Sequence, residues 1–173
     1  MRAAVFSFIG RVPVTLGLVA VIVAVGFVGQ GLWSATEQQP WWSAIAYGLP
    51  SFQQGRWWTP LTGTFFVASP LLYIPTLIGF FWMALLEWKR GSRAAFAYFG
   101  AGQLVAILAT AAFLYFASML PWPWAIELAG SLDVGPSGGT VACFAACVGL
   151  FASPWRQRGW LIAFLYAAIS VLF

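Results

Sequence analysis

Pro70–Arg93 reads PLLYIPTLIGFFWMALLEWKRGSR. No charge occurs between Pro70 and Leu86, and then Glu87, Lys89, Arg90 and Arg93 arrive together. A helix needs roughly 20 apolar residues to cross a bilayer. The stretch therefore reads as a membrane-spanning helix over 70–86 that stops at a polar boundary. Pro75 lies inside it and is expected to kink it, because its ring removes a backbone donor and crowds the preceding turn.

The same pattern extends in both directions. Upstream, Arg2 and Arg11 precede the apolar run 12–33, too long for the core of a signal peptide and read as a retained first span. Downstream, Ala94–Leu120 forms a third span rich in small residues that let helices approach closely. Ser137–Ala152 forms a short fourth span, whose start is expected below the membrane surface. Gly159–Phe173 forms a fifth, separated from the fourth by a loop over Pro154–Arg158. Residues 34–66 differ: prolines and the paired tryptophans Trp41, Trp42, Trp57 and Trp58 predict a loop with short helical pieces lying at the headgroup level.

Composition agrees. The 173 residues are 62% hydrophobic and 7% charged, against about 25% charged in a soluble domain. The expected fold is an all-α polytopic membrane bundle of five spans. Arg2, Arg11, Lys89, Arg90, Arg93, Arg156 and Arg158 fall on one side of this arrangement and Arg56 alone on the other. Positive charge marks the cytoplasmic side, so the N-terminus is cytoplasmic and Ser137 faces outward. The net charge of +4 is thus a topology signal and not a nucleic-acid signal. The fifth span, at about 22 Å, falls short of the hydrocarbon core of about 30 Å, which suggests a fragment of a longer protein.

The absence of histidine removes imidazole base catalysis and the commonest zinc ligand from this chain. Cys143 and Cys147, four apart on one helix, read as small packing residues. Gln30 and Gln103, inside apolar runs, read as interhelical hydrogen-bond residues. No metal or cofactor is expected, nor any nucleic-acid partner. Charge-free spans argue against transport.

Chemistry has one candidate location, Asp133-Val134-Gly135-Pro136-Ser137-Gly138-Gly139. A bland reading makes Asp133 a helix cap, Pro136 a first-turn residue, Ser137 a cap or local partner, and Gly138 and Gly139 close-packing positions. A sharper reading makes Ser137 a nucleophile, but a serine hydroxyl needs a base. Lys89 belongs to the opposite membrane face, and Glu127 and Asp133 are weak bases for a hydroxyl.

The chain also resembles the rhomboid superfamily. Gly55-Arg56-Trp57-Trp58-Thr59-Pro60-Leu61-Thr62 is similar to that family's Gly-x-Trp-Trp-Arg-x-x-Thr, with Thr59 in place of the arginine. Leu86-Glu87-Trp88-Lys89-Arg90-Gly91 resembles its Leu-Glu-x-x-x-Gly, and Gly135-Pro136-Ser137-Gly138 its Gly-x-Ser-Gly. The resemblance implies a catalytic role for Ser137, an oxyanion or helix-start role for Gly135 and Gly138, and motif roles for Trp57, Trp58, Thr62, Glu87, Gly91 and Asp133. It also implies a six-helix core whose sixth helix carries a histidine base. That helix is missing here, and the family's second-helix donors fall near Leu71 and Pro75, which have none.

The expectation is a rhomboid-like bacterial plasma-membrane protein that is not proteolytic. It would bind transmembrane helices or lipid, or serve as the membrane domain of a larger protein. One alternative is an intramembrane serine endopeptidase whose base lies beyond residue 173. Another is a membrane domain fused to a lipid-aminoacylating module.

Overall fold

The computed structural model describes the backbone of residues 10–172 and the side chains of residues 10–162. Arg2 and Phe173 lie outside the described residues. The chain is all-helical, and among the described residues the sole extended pairing is an antiparallel bridge between Tyr47 and Asp133.

The helices are α1 (Pro13–Val28), α2 (Trp42–Ile45), α3 (Leu49–Gln53), α4 (Thr59–Gly63), α5 (Tyr73–Arg90), α6 (Ser92–Ala117), α7 (Pro123–Ala129), α8 (Ser137–Val148) and α9 (Ser153–Leu172). Short 3-10 turns cover Thr36–Gln38 and Pro70–Leu72. Two helices, Pro70–Arg90 with its leading turn and Ser92–Ala117, are long and apolar enough to cross a membrane; α1 and α8 are shorter apolar helices.

Several boundaries depart from the sequence expectation. The first apolar helix ends at Val28, not Trp33, because Gly29 ends it and Gln30 takes a left-handed conformation (φ 61°). Gln30 is therefore a turn residue whose carbonyl accepts from Trp33 and Ser34, not an interhelical side chain. Pro75 falls on the third residue of α5, where no intrahelical N–H is required, so the reason for a kink is absent. The loop expected over Pro154–Arg158 is the opening of α9, with proline in the first turn, where its fixed φ suits a helix. Counted from Ser153, α9 rises about 30 Å, but its first turns carry Arg156 and Arg158, so the added length is not apolar.

The centre is α5, α6 and α8. Small residues set the spacing. A Cβ on Gly102 of α6 would come 2.1 Å from the Ala142 Cβ of α8, and one on Gly139 of α8 would come 2.6 Å from Phe99 of α6. Phe80, Met83, Leu86, Phe99, Cys143 and Cys147 fill the space between, with the two thiols free and buried. The exterior is apolar as well as the core. Ile74, Ile78 and Phe81 of α5, and Val105, Phe113 and Phe116 of α6, are exposed, while Gln103 is 3% and Glu87 1% exposed.

Glu87 ties three helices together. Its carboxylate accepts from the Val14 N–H (2.9 Å), the Thr15 N–H (2.8 Å), the Thr15 hydroxyl (2.7 Å) and the Ser92 hydroxyl (2.7 Å). Helix α1 has no N-cap side chain of its own. A carboxylate from α5 takes that place, satisfying otherwise orphaned donors at the positive end of the helix dipole. Gly91 alone joins α5 to α6 with φ 87° and ψ 163°, a backbone that side chains disfavour.

Candidate functional site

The segment before α8 is held by the 34–66 region and by α6. The Tyr47 N–H donates to the Asp133 carbonyl (2.9 Å), and the Asp133 N–H donates back to Tyr47 (2.8 Å). The Gly135 N–H donates to the Gly63 carbonyl at 3.0 Å. Gly63 must be small here, since a Cβ would come 2.7 Å from the Tyr47 ring.

The Gly135 carbonyl is the junction. It accepts from the Tyr47 hydroxyl (3.0 Å) and the Gln103 amide (2.6 Å). The Gln103 oxygen then accepts from the Gly139 N–H at 2.8 Å. One buried glutamine thus fixes both sides of Ser137. Gln103 does join helices as expected, and its targets are backbone groups of the serine segment. Burial pushes the Tyr47 phenol above its ordinary 10.0, with the nearby Asp133 charge adding to the shift. Tyr47 therefore stays protonated and donating.

Ser137 is the first residue of α8, and Pro136 takes the N-cap position with no side-chain cap bond. Asp133 does not cap the helix as expected; its carboxylate accepts from the adjacent Val134 N–H at 2.7 Å. Although Asp133 keeps solvent access, crowding by the surrounding walls raises its carboxyl, and the Val134 bond partly opposes that rise. The Thr140 hydroxyl donates to the Ser137 carbonyl (3.0 Å). The Ser137 hydroxyl itself is exposed and bonded to nothing among the described residues.

Ser137 lines a cavity of about 590 Å³. Val67, Leu72, Trp82, Phe144 and Ile162 give it apolar walls; Thr76, Asp133, Ser137 and Thr140 give it a polar side. Of the positions where the resemblance would place donors, Pro75 lines the cavity and Leu71 does not. Thr76, one residue on, also lines it, a position that no motif marked.

The oxyanion role expected for Gly135 does not fit, because its N–H is already given to Gly63. The N–H groups of Ser137 and Gly138, at the opening of α8, have no acceptor among the described residues. Such groups favour a carbonyl or anionic oxygen within hydrogen-bonding distance. A base is another matter. Among the described residues no side chain is hydrogen-bonded to the Ser137 hydroxyl, and Lys89 lies about 20 Å along α5 from Thr76. Nor, among them, does any group of three or more Asp, Glu, Cys or His side chains gather in one place.

The remaining candidates lie elsewhere. Trp57 stacks on Phe52 at 5.0 Å, the Trp58 ring N–H donates to Ala44 (3.3 Å), and Thr62 donates to Ile45 (3.1 Å). They shape the 34–66 region that carries Tyr47. Glu87 and Gly91 belong to the opposite end of the bundle. Tyr47, Gly63 and Thr76 escaped the sequence reading; a lone tyrosine, glycine and threonine in an apolar chain carry no signal of their own. No protein-family model matches the chain, and neither a curated protein nor a solved structure matches it.

Proposed function

We propose that this chain is a multi-pass, rhomboid-like membrane protein of the bacterial plasma membrane. In this reading it has five spans, does not cleave peptide bonds, and holds the acyl chain of a lipid, or an apolar transmembrane segment, in the cavity beside Ser137. The apolar exterior supports membrane placement, since large exposed apolar patches are rare on soluble monomers. The three motifs, read in order, support the rhomboid-like likeness.

The observation that carries the binding reading is the contrast around Ser137. The carbonyl of Gly135, the N–H of Gly139 and the phenol of Tyr47 are satisfied, while Ser137, its hydroxyl unbonded, lines a largely apolar cavity. A nucleophile needs a partner to take its proton, and none is in place among the described residues. The unpaired N–H groups of Ser137 and Gly138 suit the carbonyl of a bound ester or amide.

Labelling of the purified protein with a fluorophosphonate probe tests this, with Ser137→Ala as control. The expected result is no labelling above the control, together with cross-linking of a photoreactive acyl lipid that Thr76→Trp weakens by narrowing the cavity. The unpaired N–H pair also favours a second reading, a serine endopeptidase whose base comes from outside residues 1–173. Labelling lost only in Ser137→Ala would establish that reading instead.

A further inference from the structure

We infer that the end of the bundle where Glu87 is buried binds the phosphate headgroups of anionic phospholipids. This rests on the membrane reading above. The junction of α5 and α6 carries Lys89, Arg90 and Arg93, the start of α1 carries Arg11, and the opening of α9 carries Arg156 and Arg158; all are exposed. Glu87 draws the first turn of α1 to the α5–α6 junction. The Cys143 thiol lies 3.9 Å from the Ala95 carbonyl, and a Cβ on Gly159 would come 2.9 Å from Val148. These contacts bring the end of α8 and the start of α9 to the same place.

The charge there is one-signed. Of the four acidic residues, Glu37, Glu127 and Asp133 belong to elements at the Ser137 end. Glu87 faces inward with its oxygens taken by four donors. Two of the cations lie against aromatic faces, Lys89 at 4.3 Å from the Trp88 ring and Arg158 at 5.2 Å from the Trp155 ring. Arginine and lysine suit phosphate, and tryptophan suits the headgroup level. A lipid fits better than an acidic protein because the exposed apolar flank begins beside the cations. Phe96 is 58% exposed less than one turn beyond Arg93, and Phe81 is equally exposed on α5. Headgroup and acyl chain both meet matching surface.

The test uses the full chain. Alkaline carbonate washing of membranes comes first: release of the protein would overturn the membrane reading and this inference with it. If the protein stays, it is purified in neutral detergent and its retention of phosphatidylglycerol against phosphatidylcholine is read by native mass spectrometry. Each basic residue near an anionic surface is worth about fivefold. Lys89→Gln/Arg90→Gln/Arg93→Gln is expected to cut phosphatidylglycerol retention on the order of a hundredfold, and Arg56→Gln, at the other end, to leave it unchanged. Arg156→Gln/Arg158→Gln gives an independent reading should the triple variant fail to fold, with an expected loss of about 25-fold. Equal retention of the two lipids, or wild-type retention in both sets of variants, would overturn the inference while leaving the proposal for the cavity standing.

Discussion

Replacing Glu87 with alanine removes an acceptor that four donors share. The hydroxyls of Thr15 and Ser92 can rotate toward other acceptors. The N–H groups of Val14 and Thr15 cannot, because the first turn of α1 fixes their direction. Each stranded buried donor costs about 1–3 kcal/mol, so Glu87→Ala is expected to lose about 2–6 kcal/mol. That is a large share of the roughly 5–15 kcal/mol that holds a typical domain together. Glu87→Gln keeps the shape and one accepting oxygen, but turns an NH₂ toward donors, so about half that loss is expected. The assay is unfolding in a mild detergent followed by tryptophan fluorescence, with Thr15→Ala and the double variant completing a cycle. A coupling of about 1–2 kcal/mol between the two sites is expected. Hydrogen exchange should localise the damage to the first turn of α1. A Glu87→Ala protein within about 0.5 kcal/mol of wild type, the range of an ordinary surface change, would refute the assignment of Glu87 as the cap of α1.

Four further outcomes are expected. Gly102→Leu should destabilise by about 1–3 kcal/mol or more in the same unfolding assay, because its Cβ has no room against Ala142. Gly100→Ala, on the same helix with nothing near its Cβ, should be neutral or gain up to about 1 kcal/mol. Gln103→Leu strands the Gly139 N–H and should cost about 1–3 kcal/mol; a thermal shift of the purified variant checks it. Tyr47 titrates above its ordinary 10.0 in the fold, so its contribution is complete below pH 10. It is lost as pH rises further, by up to about 1.4 kcal/mol per pH unit. Unfolding curves between pH 9 and 11 should show this slope in wild type and a shallower one in Tyr47→Phe.

Helical content was legible because apolar runs of this length have few other readings. The ends were harder. Lys89 and Arg90 looked like a boundary, yet charged residues continue a helix readily, and α5 stops only where Gly91 turns the chain. The Pro154 stretch looked like a loop because proline breaks a helix interior; at the opening of a helix it does the reverse. In the site, Gln103 stood out as one amide in an apolar run, and Ser137 stood out by its glycines. Their partners did not, since Tyr47 and Gly63 meet Gly135 only through the tertiary fold. Asp133 was read locally as a cap, while its backbone was committed to a pairing with distant Tyr47.

That pairing sets an order of assembly. Tyr47 is synthesised 88 residues before the Gly135 carbonyl that its hydroxyl needs, and Gly63 likewise precedes its own partner. The covering segment therefore emerges with its hydrogen-bonding groups unmet and must wait for the serine segment to arrive. The cavity cannot close before α8 and the start of α9 have been synthesised. A chain interrupted before α8 would expose the unpaired edge at Tyr47 as a recognisable mark of incomplete folding.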